Sequence, residues 1–154
     1  AGNGMNLVQN DLCIVDVIAS VADRVFRSNL PPMGTVAVIG ASNDRSKWGN
    51  KSLRAFRQQG YTVYPVNPNE PVIEGVPSYK TITEVPVRPE KVTVYVRPQV
   101  LLKMLPDIAA KGCDELWLNP GTESDEVLAE AERLKLNVIQ ACSIIAVGVS
   151  PGSL

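Results

Sequence analysis

Histidine is absent from this chain of 154 residues. Because histidine supplies the base or the ligand in many sites, its absence excludes Ser-His-Asp triads, Cys-His dyads, histidine metal sites and phosphohistidine transfer. Cysteine is scarce, and Cys13, Cys113 and Cys142 have the spacing of neither a disulfide framework nor a metal site. The sequence therefore contains no evident catalytic constellation and predicts no bound metal.

The chain also lacks a strong net charge and long apolar runs. With 15 basic and 16 acidic residues the formal net charge is −1, which gives no support for a nucleic-acid or membrane-surface partner. No apolar run has the length of a membrane span or the pattern of a secretory signal, so we expect a cytoplasmic protein. The length and a hydrophobic content of 45% suit one globular domain with a substantial core.

Residues 1–32 are predicted to form a helical extension ahead of the main domain at 33–154. Residues 1–4 precede Met5 and resemble the remnant of an expression tag. Between 11 and 27, apolar residues recur at helical spacing, which indicates an amphipathic helix. We expect this helix to cover the core; pairing with a second copy of the chain as a homodimer is the alternative.

Short apolar runs alternate with helical patterns from residue 35 onwards. Strands are predicted at 36–39, 61–66, 91–96, 115–118 and 137–139. Helices are predicted between the first two strands, at 100–110 and at 124–135, with an irregular stretch at 73–79 and no assignment for 141–154. This alternation predicts an α/β fold, namely a Rossmann-like, doubly wound, mostly parallel five-stranded sheet with helices on both faces.

The turn after the first strand has the features of a phosphate-binding loop. Small residues stand where the chain must turn, at Gly40, Ala41 and Ser42. The helix that follows begins with free N–H groups and a positive dipole end, which favour an anion. Arg45, Lys47 and Lys51 add positive charge in or just after the loop, so a ligand with more than one phosphate is predicted.

Four strand ends carry marked loops. They are Gly40-Ala41-Ser42, Val66-Asn67-Pro68, Val96-Arg97-Pro98 and Asn119-Pro120-Gly121. Because the carboxyl ends of parallel strands meet at one edge of a sheet, we expect a ligand site at that edge.

A dinucleotide is disfavoured by the details of the first loop. The G-x-G-x-x-G fingerprint is met only at Gly40, since Ser42 and Arg45 occupy the other two glycine positions. The second strand ends in Val66-Asn67, without the carboxylate that holds ribose hydroxyls. An NAD-binding oxidoreductase or redox sensor therefore stays only as an alternative.

Five segments between residues 35 and 142 resemble the small stand-alone CoA-binding proteins, which look like the CoA-binding domain of the succinyl-CoA synthetase alpha subunit and of NDP-forming acyl-CoA synthetases. The segments are Val-Ile-Gly-Ala-Ser at 38–42, Lys-Trp-Gly-Asn at 47–50, Gly-Tyr-Thr-Val-Tyr-Pro-Val-Asn-Pro at 60–68, Ile-Glu-Gly at 73–75 and Leu-Trp-Leu-Asn-Pro-Gly at 116–121. The chain departs from the family at 140–142, where Gln-Ala-Cys replaces the usual Asp-Arg-Cys.

The resemblance implies a ligand and a placement for it. The loop at 40–47 would hold the CoA diphosphate, the ends at 66–68 and 96–98 would flank adenosine, and 119–121 would lie along the pantetheine. Arg45, Lys47 and Arg97 would then meet the phosphate groups.

Three further side chains have expected roles. Cys142 is expected to be a packing residue rather than a partner for the CoA thiol. Trp48 is expected to seal its helix against the sheet rather than stack on a ligand, and Trp117 is expected in the core.

The function predicted from these patterns is non-catalytic binding of coenzyme A or an acyl-CoA at the carboxyl edge of the sheet. A partner-dependent subunit of an NDP-forming acyl-CoA synthetase is the second hypothesis, and the NAD-linked protein is the third.

Overall fold

The computed structural model describes residues 31–154. The helix predicted at 11–27 therefore lies outside the described residues, as does the homodimer contact that it would make. The division into an extension at 1–32 and a domain at 33–154 stays a prediction.

Within the described range the chain alternates strands and helices. The strands are β1 (Thr35–Ile39), β2 (Thr62–Val66), β3 (Val72–Ile73), β4 (Val76–Pro77), β5 (Lys91–Val94), β6 (Glu115–Leu118) and β7 (Val138–Gln140). The helices are α1 (Trp48–Gln58), α2 (Pro98–Lys111), α3 (Asp125–Arg133) and α4 (Ser143–Ala146). Single 3₁₀ turns occur at Ile82–Glu84 and Pro151–Ser153.

Five of these strands form one parallel sheet in the order β2-β1-β5-β6-β7. The interior strand β1 is an apolar run whose alternate side chains enter two different core clusters. Val36 packs with Phe56 of α1 in one cluster, whereas Ala37 packs with Leu105 of α2 in the other. Because successive strand side chains point to opposite faces, helices cover both faces, and the predicted α/β fold is confirmed.

Two segments differ most from the sequence prediction, and β5 ends at Val94 rather than at residue 96. Residues 72–77, expected to be irregular, form the antiparallel hairpin β3–β4, whose strands are too short to give a visible alternation. Its turn is made by Glu74 and Gly75, both with positive φ. Helix α2 begins at Pro98, earlier than expected, and continues through Pro106.

The unassigned segment at 141–154 closes over α1. It contains α4 and the last 3₁₀ turn, and Ile144 and Val149 are buried against Ala55 of α1. A helix of four residues has no readable apolar period, which explains why the pattern gave no assignment there.

Candidate functional site

A cavity of about 630 Å³ lies at the carboxyl edge of the sheet. Strand order reverses at β1, because the chain goes from β1 outward to β2 and then returns to β5 on the other side. Such a switch point is where open α/β sheets bind ligands. The cavity is lined by residues that follow β1, β5, β6 and β7 and by the start of α1.

Seven of the fourteen predicted site residues line this cavity, namely Gly40, Lys47, Val96, Arg97, Asn119, Pro120 and Gly121. The other seven are Ala41, Ser42, Arg45, Val66, Asn67, Pro68 and Pro98, and they do not line it. Ser46, Trp48, Gly49, Tyr95, Thr122 and Cys142 line the cavity without having been predicted as site residues.

Two glycines bring the start of α1 against the end of β1. Gly40 has φ +86°, and a Cβ there would lie 2.9 Å from the Tyr95 carbonyl oxygen. A Cβ on Gly49 would lie 2.1 Å from the Gly40 carbonyl oxygen, closer than a side chain can approach backbone. Gly49 therefore permits the close helix–strand packing that the third glycine of a dinucleotide fingerprint provides elsewhere.

The start of α1 presents positive charge to the cavity. Lys47 is its N-cap, and within the described residues no side chain caps this end and no acidic residue occupies the first turn. The unsatisfied N–H groups and the dipole of a helix start attract anions. Together with the Lys47 side chain, this end of the helix can bind a phosphate.

Arg45 is directed to a carboxylate outside the cavity lining. Its Nε lies 3.2 Å from Oε1 of Glu74, which is in the β3–β4 turn, and its side chain is 66% exposed. Glu74 also accepts a hydrogen bond from Asn50 Nδ2 at 2.9 Å. That hydrogen bond, followed by the charge of Arg45, holds the pKa of the Glu74 carboxyl below its usual range.

Hydrogen bonds join the β3–β4 hairpin to the loop between β1 and α1. Asn43 Nδ2 donates to the Val72 carbonyl at 2.7 Å, and Glu74 N–H donates to Asn43 Oδ1 at 2.9 Å. Arg57 of α1 donates to the Glu74 carbonyl at 2.9 Å. The hairpin thus fixes the loop that precedes α1.

The end of β2 supports the same loop and does not reach the cavity lining. Asn67 Nδ2 donates to the Ala41 carbonyl at 2.8 Å, and Asn67 Oδ1 accepts from Asn69 N–H at 2.8 Å. Ala41 is fully buried, and Ser42 Oγ accepts from Asp44 N–H at 3.1 Å. These side chains are occupied in shaping the turn.

Asn119 ties together three elements beneath the cavity. Its Nδ2 donates to Thr93 Oγ1 at 2.7 Å and to the Val94 carbonyl at 2.9 Å, while its Oδ1 accepts from Ser143 N–H at 2.9 Å. The side chain is buried and its hydrogen-bonding groups are occupied. Asn119 therefore positions β5, β6 and the start of α4.

Tyr95 adds a neutral hydroxyl to this polar layer. Its hydroxyl lies 3.0 Å from Ser143 Oγ, and burial raises the pKa of the phenol above its ordinary value. The phenol, which is protonated at neutral pH in any case, is thus an even weaker acid here. Nothing in the sequence singled out Tyr95, because a tyrosine at the end of a strand is typical of any sheet.

Both tryptophans differ from expectation. Trp48 is 54% exposed and lines the cavity, so it does not seal α1 against the sheet. Trp117 is only partly buried, and its Nε1 donates to Glu115 Oε2 at 2.8 Å. Alternation along β6 turned Trp117 away from the large core cluster that contains Leu116 and Leu118.

Cys142 follows β7 and combines two environments. It is a free, partly buried thiol that packs with the cluster of Ile144 and Val149, as expected for a packing residue, and it also lines the cavity. Cys113 is a second free thiol, and burial raises its pKa to about 11. Cys113 is not among the residues that line the cavity.

Over residues 31–154, acidic residues and cysteines nowhere form a group of three that could hold a metal ion. No helix in that range is long and apolar enough to cross a membrane.

Comparisons with known proteins give both sequence and structural relatives. The profile of a family described as a CoA binding domain matches residues 34–148. The alpha subunit of an ADP-forming acetate–CoA ligase II from Pyrococcus furiosus is 36% identical over 78 residues, covering 50% of this chain and 17% of that protein. The chain thus spans a small part of the length of the curated ligases it matches.

Two solved structures illustrate the structural likeness. A conserved hypothetical protein from Pyrococcus furiosus is 30% identical with a TM-score of 0.69, and the match covers 74% of this chain and 99% of that one. The dinucleotide-forming acetyl-coenzyme A synthetase 1 of Ca. Korarchaeum cryptofilum, in complex with phosphate and ADP, is 25% identical with a TM-score of 0.62. That match covers 71% of this chain and 26% of the synthetase.

Proposed function

Because the chain belongs to the family of CoA-binding domains, we propose that it binds coenzyme A or an acyl-CoA in the cavity at the carboxyl edge of the sheet. The observation that carries this proposal is the convergence of Lys47, Arg97 and the uncapped start of α1 on one cavity. Phosphate groups are recognised by such cations and by helix N–H groups.

The residues present fit a ligand of this kind. Gly40 and Gly49 let α1 begin directly against the end of β1, because a Cβ at either position would collide with backbone. The N–H groups of the α1 start then stand at the cavity, where a diphosphate can accept hydrogen bonds from them. Asn119, Pro120 and Gly121 form an uncharged wall suited to the pantetheine arm. In this proposal Arg45, Val66, Asn67 and Pro68 hold the loop in shape from outside the cavity lining.

Binding without catalysis is supported by the side chains that line the cavity. The titratable ones are Lys47, Arg97, Tyr95 and Cys142, with no carboxylate among the lining residues. A phenol is protonated at neutral pH, and burial raises the pKa of Tyr95 further above its ordinary value, so this hydroxyl does not serve as a base there. The lining therefore offers cations that hold a charged ligand but no acid–base pair.

A thermal-melt titration tests the proposal. Ligand that copurifies with the chain is removed by unfolding and refolding, because a saturated site would hide stabilisation. CoA at 100 times its Kd should then stabilise the fold by about 2.7 kcal/mol. A chain whose melting temperature is unchanged at millimolar CoA would contradict the proposal, and equal or greater stabilisation by NAD would favour the NAD-linked alternative.

A second candidate is a CoA-binding subunit of an ADP-forming acyl-CoA synthetase that needs a partner chain for activity. It is favoured by the relative from Pyrococcus furiosus, whose name describes an alpha subunit. Acyl-CoA synthesis that appears only when a partner chain is added would support this candidate. A pulldown from the source cells that recovers no nucleotide-binding partner would argue against it.

A further inference from the structure

A carboxylate lies against the loop between β1 and α1, close to the end of β2. Glu70 comes shortly after Val66, the last residue of β2, and its Oε2 accepts from Asn43 N–H of that loop at 3.1 Å. The same oxygen accepts from Asn67 Nδ2 at 3.1 Å. Because Asn43 and Glu70 are 27 residues apart in the chain, the sequence did not show that the end of β2 has a carboxylate.

The ends of β1 and β2 lie side by side at the edge of the cavity. Gly40, which lines the cavity, donates its N–H to the Val66 carbonyl at 3.1 Å. Asn67 Nδ2 donates to the Ala41 carbonyl at 2.8 Å. The loop that leads to Glu70 therefore starts beside a lining residue, and a nucleoside joined to a diphosphate at the start of α1 can extend over it.

The charge of Glu70 is not balanced by a neighbouring cation. In the part of the chain that the structure describes, no lysine or arginine forms an ion pair with this residue, and residues 66–71 contain no other charged side chain. Glu70 is only partly buried. Its carboxylate has about four acceptor sites and binds two donors of the protein, Asn43 N–H and Asn67 Nδ2. It can therefore accept from a ligand hydroxyl, whereas it repels a second anion.

The place of this carboxylate agrees with a general rule for nucleotides on Rossmann-like sheets. Where the phosphates bind at the turn after the first strand, an acidic residue at the end of the second strand holds the ribose hydroxyls, and an arginine there accommodates a ribose phosphate. CoA carries a phosphate on the 3′ oxygen of its ribose, whereas dephospho-CoA has a free hydroxyl there. In this chain the end of β2 offers a carboxylate and no cation.

We infer that Glu70 is a specificity-determining residue, which accepts a hydrogen bond from the free ribose hydroxyls of dephospho-CoA and repels the 3′-phosphate of CoA. This inference rests on the proposed function and specifies which members of that ligand class the site favours. Dephospho-CoA and its acyl thioesters should bind about 10-fold more tightly than the corresponding 3′-phosphates, because like charges a few ångströms apart near a protein surface repel each other.

Calorimetric titration of the refolded chain with CoA and with dephospho-CoA tests the inference. The measured quantity is the ratio of the two Kd values, since a change in the shape of the loop weakens both ligands alike. In the unaltered chain the Kd for CoA should be about 10 times that for dephospho-CoA. E70Q removes the charge and keeps the size of the side chain, so the ratio should fall below about 3. E70K should reverse the preference, so that CoA binds more tightly.

Glu132 offers matched controls with the same changes of charge. It is exposed and lies in the last turn of α3, which leads back to the start of β7. E132Q and E132K should therefore keep the ratio of the unaltered chain. A ratio in E132K that changes as much as in E70K would overturn the inference, because net charge alone would then explain the preference.

Ligand fragments test the assignment without any substitution. ADP and adenosine 3′-phosphate 5′-diphosphate differ only in the 3′-phosphate, so ADP should bind about 10-fold more tightly to the unaltered chain. Equal affinities would overturn the inference. Failure of both fragments to bind a chain that binds dephospho-CoA would also overturn it, since the adenosine end would then make no contact of its own.

The two hypotheses fail in different ways. If the unaltered chain binds neither CoA nor dephospho-CoA at millimolar concentration, or binds NAD more tightly than both, the proposed function is wrong. If the unaltered chain binds CoA at least as tightly as dephospho-CoA, or if E70K keeps the original ratio, only the role of Glu70 is wrong.

Discussion

The two sides of the cavity differ in charge and in whether their polar groups already have hydrogen-bond partners within the protein. The basic wall, at residues 46–49 after Gly40, carries Lys47 and an uncapped helix start. The neutral wall, at 119–122 with Cys142, carries no charged side chain, and the amide of Asn119 is occupied by bonds to Thr93, Val94 and Ser143. The basic wall can bind phosphate, whereas the neutral wall positions strands and offers an uncharged surface.

The largest effect should come from adding a side chain at Gly49, the residue of the basic wall that packs against the end of β1. In G49A the new Cβ would meet the Gly40 carbonyl oxygen at 2.1 Å, so α1 must shift. We expect a loss of about 3 kcal/mol in the free energy of unfolding together with loss of CoA binding. G152A is the control, because a Cβ there meets only the Ser150 hydroxyl at 3.9 Å; urea unfolding curves that coincide for the two variants would contradict the packing described.

A substitution in the neutral wall should lower the free energy of unfolding rather than the affinity for CoA. N119A would leave the Ser143 N–H and the Val94 carbonyl without the amide that now binds them. Unpaired buried groups cost about 1–3 kcal/mol each, so we expect a destabilisation of about 2 kcal/mol by denaturant unfolding. CoA affinity measured on the folded protein should change less than about threefold. N69A, at an exposed asparagine, is the control. If N119A loses more free energy of CoA binding than of unfolding, the Asn119 amide contacts the ligand and the assignment is wrong.

Within the basic region, two neighbouring cations should behave differently. K47A should raise the Kd for CoA about 10-fold or more, because a charge-assisted hydrogen bond to phosphate is worth about 1.5–3 kcal/mol. R45A should raise it less than about threefold, since Arg45 pairs with Glu74 outside the cavity lining. Calorimetric titration at fixed salt, with K103A on the exposed side of α2 as control, distinguishes the two. Equal losses in K47A and R45A would contradict the separate roles.

The smallest effect should be the pH dependence of the hairpin contact. Hydrogen bonding from Asn50 lowers the pKa of Glu74 in the folded chain from its ordinary 4.5. A lowered folded pKa means that this stability is present above about pH 4.5 and is lost as pH falls through the folded value. The difference in melting temperature between the unaltered chain and E74Q should therefore be largest at pH 7 and shrink towards pH 3. A difference that grows with acidification would have the wrong sign.

Sequence patterns predicted the fold and about half of the candidate site. The buried run before Gly40 and the loops after β5 and β6 could be located because strand ends of a parallel sheet converge. The end of β2 was expected to join them, but Asn67 donates to the Ala41 carbonyl. That partner is 26 residues away in the chain, and no local pattern reveals it.

The positions of Trp48, Cys142 and the hairpin at 72–77 depend on tertiary contacts that a local sequence pattern does not show. Trp48 was expected to seal α1, yet Gly49 takes the place against the sheet and leaves the indole at the cavity. Cys142 reaches the cavity because α4 folds back towards α1, in a segment too short for a periodic signal. The hairpin at 72–77 was missed for the same reason, although it fixes the loop before α1.

The most direct test follows backbone amide resonances of ¹⁵N-labelled, refolded chain during titration with CoA. We expect saturable shifts for Gly40 and for residues 47–49, with Gly60 and Gly112 at the opposite edge of the sheet unchanged. CoA that leaves the resonances of Gly40 and 47–49 in place at millimolar concentration would contradict the account, because no phosphate would then be bound at the start of α1.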